Sequence, residues 1–337
     1  MKEKVFQTIR KYKLIEPGDM VLLGVSGGPD SLAMLVVLQE WQQMSQKELP
    51  FTFAVAHVNH GIRAEADQDE EFVREICQKN RIDFYSVRID VEKIAHTKKI
   101  GVEEAGRKER YEFFDQIANK IGANKIATAH NQNDRVETMI MNVVRGSGIS
   151  GLKGIEPMRD KKYIRPLIEC NRSEIEQFCE DNHLVPRIDQ TNFDNTYTRN
   201  KIRNVVIPYL QQEFNPNILT TMDRLAKIVT EEEEYMDKQI QKIYTEIKEV
   251  ENQGRIILSL SRFNQQEKVI KARLILYTIT RLLGTAQGIE KIHIEDIIKL
   301  AQNNVGNKWL TPNKKIKVFV KKGQITFSIQ EQGSVKA

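Results

Sequence analysis

The sequence predicts an α/β fold, a doubly wound parallel sheet followed by a smaller, helix-rich α+β domain. The first part rests on short apolar segments that alternate with helical patterns over residues 20–129, which is typical of a parallel sheet with helices on both faces. The second part rests on a change of pattern after residues 213–217, where a long charged helix begins. The 337 residues are enough for two domains, which we expect at 1–214 and 215–337.

The elements of the first domain follow from local patterns. An amphipathic helix is predicted at 2–13, and Pro17-Gly18 marks the turn into the first strand. The second strand, at 51–58, is apolar almost throughout, as strands covered on both faces are. The other predicted elements are helices at 31–43, 67–80 and 102–121, strands at 84–89, 125–129 and 163–168, and a helix at 173–182 with Ser173 and Glu176 as its capping box.

The second domain is predicted to open with a helix from residue 218 to about 250, in which Glu231 to Glu234 form a solvated run. Strands are predicted at 255–260, 315–320 and 324–329, and helices at 265–283 and 294–302. Residues 214–337 carry 20 Lys and Arg against 14 Asp and Glu, whereas residues 1–213 carry 31 against 32. This basic surplus suits a polyanionic partner such as RNA, although a modest surplus is also typical of a solvated surface.

Composition excludes several classes of protein. No apolar run is long enough to span a bilayer and no signal-peptide pattern follows Met1, so we expect a cytoplasmic protein with no membrane partner. The three cysteines are odd in number and include no C-x-x-C pair, which argues against a disulfide framework, a zinc ribbon and an iron–sulfur site. We expect buried free thiols.

The strongest motif is the glycine turn between the first strand and its helix. Gly27 and Gly28 let the chain bend sharply, and Pro29 presets the backbone for the helix. Such a turn aims backbone N–H groups at an anion, and a carboxylate there, Asp30, is favourable beside phosphates only with a divalent cation between them. ATP with Mg²⁺ is therefore one interpretation, and an ordinary turn in which Asp30 or Ser31 caps the helix is the other.

Polar residues follow the other strands of the predicted sheet at the edge where parallel sheets bind ligands. His57, His60 and Arg63 follow the second strand, and His130, Asp134 and Glu137 follow the strand at 125–129. With no third His or Cys nearby, the histidines are expected to line a nucleotide pocket rather than bind zinc, with a helix cap as the alternative role of His60. Further basic residues that could contact phosphate or carboxylate groups, or form surface ion pairs, are Arg107, Arg110, Arg145, Arg199 and Arg203.

The segment Ser26-Gly27-Gly28-Pro29-Asp30-Ser31 resembles the signature of the PP-loop ATP pyrophosphatases, which have a Rossmann-like sheet. Within that superfamily, the segments 57–63, 107–114, 129–138, 145–154, 165–167 and 198–203 are similar in order and spacing to the tRNA(Ile)-lysidine synthetases. The resemblance covers residues 20–215. It implies that ATP adenylates C2 of the wobble cytidine in a CAU anticodon and that free lysine then displaces AMP.

The resemblance implies a role for each matching residue. Ser26, Gly27, Gly28, Pro29, Ser31 and His57 would bind ATP, and Asp30 would hold Mg²⁺. His130, Asp134 and Glu137 would be catalytic, with the acids binding the lysine ammonium, and Arg107 or Arg110 would face the lysine carboxylate or a phosphate. The expected RNA or phosphate contacts are His60, Arg63, Arg145, Arg199, Arg203, Lys314, Lys315 and Lys317.

Several points stay open at the level of sequence. The family pattern His-His-x-Asp-Asp-Gln is replaced here by residues 130–135, which read His-Asn-Gln-Asn-Asp-Arg. A catalytically impaired RNA- or nucleotide-binding protein is therefore an alternative, as is an RNA thiolation enzyme of the same superfamily. The lysines from 314 onward suit either phosphate contacts or the protection of an edge strand. A homodimer is compatible with the sequence, which does not itself reveal the oligomeric state.

Overall fold

A computed structural model describes residues 1–44, 49–61, 66–187, 196–303 and 308–330. The chain divides into two compact units, Met1–Thr230 and Glu231–Ala337. This division falls inside a long helix, Ile218–Ile247, whereas the sequence placed the boundary before it. No helix in the described ranges combines the length and the apolar character that crossing a bilayer requires.

The first unit is built on a six-stranded sheet in the order β3-β2-β1-β4-β6-β5. Strands β1 to β4 and β6 run parallel, and only β5 is antiparallel to its neighbour. The predicted doubly wound α/β fold is therefore confirmed. The strands are β1 (Met20–Gly24), β2 (Thr52–Asn59), β3 (Phe84–Arg88), β4 (Lys125–Ala127), β5 (Met158–Arg159) and β6 (Tyr163–Ile164).

Helices flank this sheet and bury its apolar side chains in separate cores. One core packs helices α1, α2 and α7 against β1 and includes Leu23, Leu35 and Ile175, all almost fully buried. Another packs α5 on the sheet through Phe113 and Phe114. The helices of the unit are α1 (Lys2–Tyr12), α2 (Pro29–Met44), α3 (Ala66–Lys79), α4 (Val91–Lys98), α5 (Val102–Ile121), α6 (Gln132–Val144), α7 (Arg172–Asp181), α8 (Thr198–Lys201), α9 (Ile207–Glu213) and the start of α10 (Ile218–Ile247).

The capping box predicted for α7 was placed two residues too late. The helix begins at Arg172, and its cap is Asn171, whose Oδ1 accepts the Glu174 N–H at 2.8 Å. Glu174 returns the contact by accepting the Asn171 N–H. Both motifs satisfy the spacing rule, so packing against α2 and α6 decided between them.

The second unit has a five-stranded antiparallel sheet in the order β7-β8-β11-β10-β9. Helices cover one face, and their shared core includes Phe263, Leu274 and Phe327. The predicted α+β character is confirmed. The strands are β7 (Lys248–Asn252), β8 (Arg255–Ser259), β9 (Trp309–Leu310), β10 (Ile316–Lys321) and β11 (Gln324–Ile329), and the helices after α10 are α11 (Leu260–Asn264), α12 (Lys268–Leu283) and α13 (Lys291–Asn303).

The helix predicted at 265–283 is confirmed as α12, which begins at Lys268, and the short helix α11 precedes it. One local prediction for this unit was wrong. The acidic run was predicted to be solvated, yet Glu233 is buried and pairs with Arg273. Neither the partner nor the burial follows from spacing along α10, because Arg273 lies on another helix.

Candidate active site

The glycine turn between β1 and α2 is organised around the Ser31 hydroxyl. Ser31 is buried, and its Oγ accepts the N–H groups of Ser26 and Gly27 at 3.1 and 3.2 Å while donating to the Gly28 carbonyl at 3.0 Å. Gly27 has a φ of +90°, which a side chain would strain. The turn is therefore a preformed loop whose Ser26 and Gly27 N–H groups converge on the Ser31 hydroxyl, and an anion that displaced this hydroxyl would meet both donors.

His57 supports this loop from the neighbouring strand. It lies near the end of β2, is buried, and its Nδ1 is 2.9 Å from the Val25 carbonyl. Burial lowers the pKa of His57, and the Val25 hydrogen bond opposes that shift only in part. A neutral ring that donates from Nδ1 to Val25 fixes the strand end from which the loop departs.

The start of α6 meets the start of α2 through Asn131. Asn131 is fully buried, caps α6, and donates from Nδ2 to Asp30 Oδ1 at 3.0 Å. Its backbone N–H is accepted by Asp134 Oδ2, and its own Oδ1 accepts the Asp134 N–H. The residue that replaces a family histidine thus connects Asp30 of the glycine loop to Asp134 of α6.

The pKa values of Asp30 and Asp134 are shifted in opposite directions. Burial and the negative charge of Asp134 raise the pKa of Asp30 to about 6. Burial also opposes ionisation of Asp134, but the guanidinium groups of Arg199 and Arg203 hold its pKa below the ordinary value. At neutral pH the two carboxylates repel each other, and a cation beside Asp30 would relieve that repulsion.

The Asp30 environment fits Mg²⁺. Within the described ranges, no group of three or more His, Cys, Asp or Glu side chains is placed to hold a metal ion. Mg²⁺ commonly uses only one or two protein carboxylates and completes its shell with phosphate oxygens and water. A single desolvated acid at the edge of an anion-binding loop matches that requirement.

Two buried acids of α6 and two half-buried arginines form an ion cluster. Arg199 donates from Nε to Glu137 Oε2 and from Nη2 to Asp134 Oδ1, each at 2.9 Å. Arg203 donates to the same two carboxylates, at 2.6 Å from Nε to Glu137 Oε1 and at 2.9 Å from Nη2 to Asp134 Oδ1. We call Asp134, Glu137, Arg199 and Arg203 the ion cluster. Its charges balance, which is the condition for burying them.

The backbone between α8 and α9 helps to place both arginines. A π-helical segment, Ile202–Val206, joins α8 to α9 and contains Arg203. Arg199 and Arg203 are four residues apart and so lie on one helix face. Wider π turns inside helices are frequent at functional sites.

His130 and Arg110 extend the cluster toward α5. The His130 Nδ1 is 2.9 Å from Thr128 Oγ1, and burial together with the positive charges of Arg199, Arg165 and Arg110 holds the pKa of His130 far below its usual value. Arg110 donates to His60 Nε2 at 3.1 Å. His130 is therefore neutral at neutral pH, and His60, Arg110 and His130 line one side of the site.

The other predicted residues lie outside this cluster. Arg107 lines an open cavity of about 790 Å³ along α5, and its guanidinium lies 5.8 Å from the centre of the Tyr111 ring. Arg145 is exposed at the end of α6. Lys314, Lys315 and Lys317 belong to the second unit, and Arg63 lies outside the described residues.

Sequence reasoning missed the supporting role of the residues that depart from the family pattern. Asn133 Oδ1 accepts the Arg172 N–H at 3.0 Å, which joins α6 to the start of α7. Arg135 is buried, forms an ion pair with the equally buried Asp223 of α10, and donates to the Ile155 carbonyl at 3.1 Å. Arg172 also acts on Asp30, whose pKa its positive charge lowers. The signal available in the sequence was that Asn131, Asn133 and Arg135 differ from the family pattern.

Comparisons with known proteins agree with this geometry. A family model described as "PP-loop domain" matches residues 1–210. The tRNA(Ile)-lysidine synthase of Clostridium acetobutylicum is 42% identical over 334 residues, covering 98% of this chain and 70% of the relative. That of Clostridioides difficile is 39% identical over 330 residues, covering 98% and 71%.

A solved structure, that of the U34-tRNA thiolase NcsA from Methanococcus maripaludis with its [4Fe-4S] cluster, resembles this chain with a TM-score of 0.55 and 19% identity. The match covers 68% of this chain and 78% of the thiolase chain, and at that identity it supports the fold alone. The long matches at about 40% identity show the family as well as the fold. The chain therefore belongs to the tRNA(Ile)-lysidine synthase family of PP-loop proteins.

Proposed function

We propose that this chain ligates lysine to C2 of the wobble cytidine in the CAU anticodon of isoleucine tRNA. The cytidine O2 attacks the α-phosphorus of ATP and pyrophosphate leaves, and the amine of lysine then displaces AMP to form lysidine. The observation that carries the proposal is the ion cluster beside Asp30 and the anion-binding loop. The names of the relatives support the same reaction.

The loop residues serve the first step. The N–H groups of Ser26 and Gly27 donate to the Ser31 hydroxyl in the free loop, and all three groups would exchange these contacts for the pyrophosphate part of ATP. Asp30 is the residue that would hold Mg²⁺, which when bound draws negative charge from the leaving group. Because Asn131 orients the Asp30 carboxylate, its position is fixed before the nucleotide arrives.

The ion cluster serves the second step. Asp134 and Glu137 can bind the lysine ammonium, but each is already neutralised by Arg199 and Arg203. Binding of the ammonium group to these two acids is most favourable when the arginines turn toward another anion, such as an RNA phosphate. The cluster therefore favours binding lysine and RNA together, with Arg110 available for the lysine carboxylate.

The basic part of the chain beyond residue 214 would recognise the tRNA. Its charge surplus supports this assignment. A thiolation reaction is less well supported because thiolases use reactive cysteines. Here burial raises the pKa of Cys77 to about 11, of Cys170 to about 12 and of Cys179 to about 11, and all three are buried free thiols, as the sequence predicted.

The test is incorporation of label from radioactive lysine into an unmodified CAU-anticodon isoleucine tRNA transcript with ATP and Mg²⁺. We expect label with the wild-type protein and a loss of at least about a hundredfold with Asp30→Ala, since electrostatic groups of this kind contribute that much. Glu71→Ala, which removes an exposed acid of α3, is the matched control and should label normally. Tight tRNA binding without any label would instead favour the RNA-binding alternative.

A further inference from the structure

The second unit carries a basic segment whose lysines lack acidic partners among the described residues. Residues 308–330 contain six lysines and no Asp or Glu. Among the described residues none of these six lysines forms an ion pair, although ion pairs are common elsewhere in the same unit. A concentrated, uncompensated positive charge of this kind is the electrostatic footprint of a polyanion site.

Strand register places aromatic side chains among these lysines. Trp309 on the edge strand β9 lies opposite Phe319 on β10, and Lys317 and Lys321 project on the same side as Phe319 because side chains alternate along a strand. Ile316, Val318 and Val320, on the other side, are buried in the core. The face turned away from the core thus combines two aromatic rings with two lysines.

Trp309 is the unusual member of this face. It is 60% exposed, and the Lys317 ammonium lies 4.4 Å from the centre of its ring. Leaving a large indole in water is unfavourable unless a ligand covers it. Aromatic rings next to lysines are the arrangement that binds unpaired nucleotides, because bases stack on the ring while phosphates contact the cations.

We propose that Trp309 stacks on an unpaired base of an RNA whose phosphates contact Lys317 and its neighbours Lys314 and Lys315. The RNA is the tRNA substrate, so this proposal rests on the proposed function. Partners of other chemistry fit less well: a protein would need a strongly acidic surface to match these lysines, and pairing of β9 with a second copy would bring the lysines of two chains together.

The chain offers a direct readout, because it has two tryptophans and the other, Trp41, is buried in the first unit. In a Trp41→Phe variant all tryptophan fluorescence comes from Trp309. Titration with the CAU-anticodon tRNA transcript should quench that fluorescence along the same curve as RNA binding measured by filter retention. Quenching that is absent while RNA binds would overturn the proposal.

Variants of Trp309 complete the test. Trp309→Ala should weaken tRNA binding about tenfold, whereas Trp309→Phe, which keeps a ring, should lose much less. Lys291→Gln, a change at an exposed lysine of α13 in the same unit, is the control for a general effect of surface substitutions and should bind normally. If Trp309→Ala binds like the wild type, or if the protein self-associates through this face without RNA, the stacking assignment fails.

These outcomes separate the two proposals. RNA-dependent quenching without lysine incorporation would remove the ligase function and keep the Trp309 contact. If lysine is incorporated but Trp309 fluorescence does not change and Trp309→Ala binds tRNA normally, the ligase function is kept and the Trp309 contact is removed.

Discussion

Around helix α6 in the first unit, Arg135 and Asp223 are 3% and 4% exposed and form an ion pair, whereas on β10 of the second unit Lys317 and Lys321 lie on the face away from the core. The acids of the ion cluster, which lies beside Arg135, are also paired with opposite charges, since each acid is bound by two arginines. The described lysines of residues 308–330, by contrast, make no ion pair at all.

The difference follows from the cost of desolvating a charge. A buried ion is tolerated only when an opposite charge and hydrogen bonds replace its water, so each buried group depends on its partners for stability. A lysine at the surface keeps most of its water and needs no opposite charge. Substitutions in the first region should therefore affect stability and activity together, while those in the second should affect mainly ligand binding.

The largest expected effect comes from breaking the Arg135–Asp223 pair. Asp223→Ala leaves the buried Arg135 without its carboxylate, and we expect a loss of about 3 to 5 kcal/mol in the free energy of unfolding. Urea denaturation of the full chain measures it. Asp237→Ala, an exposed acid farther along the same helix, should cost less than about 0.5 kcal/mol.

A double variant sharpens this prediction. Arg135→Gln with Asp223→Asn replaces both charges by amides, so no unpaired ion remains and the loss should be clearly smaller than for Asp223→Ala alone. A double variant as unstable as the single one would mean that packing, rather than charge, dominates this site.

The next effect concerns pH and Asp30. Its pKa of about 6 in the folded protein lies above the ordinary 3.8, so the folded state binds the proton more tightly than the unfolded state does. The stability that this proton provides is present below pH 4 and is lost as the pH rises through 6, about 3 kcal/mol in all. In EDTA-containing buffer, Asp30→Asn should abolish this part of the pH dependence. Parallel stability curves for wild type and variant between pH 4 and 7 would contradict it.

The smallest effect on stability is expected at the lysines of β10. Lys317→Gln should change the free energy of unfolding by less than about 1 kcal/mol, because this half-buried lysine forms no ion pair and loses only its contact with the Trp309 ring. If the lysine contacts a phosphate, the slope of log affinity for RNA against log salt concentration should fall by about 0.7 to 0.9. An unchanged slope would place Lys317 outside the RNA contact.

Much of the framework was predictable because local patterns dictate it. Helix α5 spans Val102–Ile121, the range that its periodicity predicted. The parallel pairing of β1, β2 and β3 follows from the alternation of strands and helices. By contrast, the sequence pattern predicted Ser173 as the cap of α7, whereas in the structure Asn171 caps the helix, which contacts with other elements position.

The sequence by itself determined the glycine loop, the strand ends that carry polar residues, and the placement of Asp134 and Glu137 just after the strand at 125–129. Those features depend on backbone preference and residue spacing, which are local properties. Only the tertiary structure decided that Arg199 and Arg203 neutralise these acids, that Asn131 binds Asp30, and that Arg135 pairs with Asp223. Each of these contacts joins residues 62 to 101 positions apart. Burial makes such contacts strong, and no local pattern encodes them.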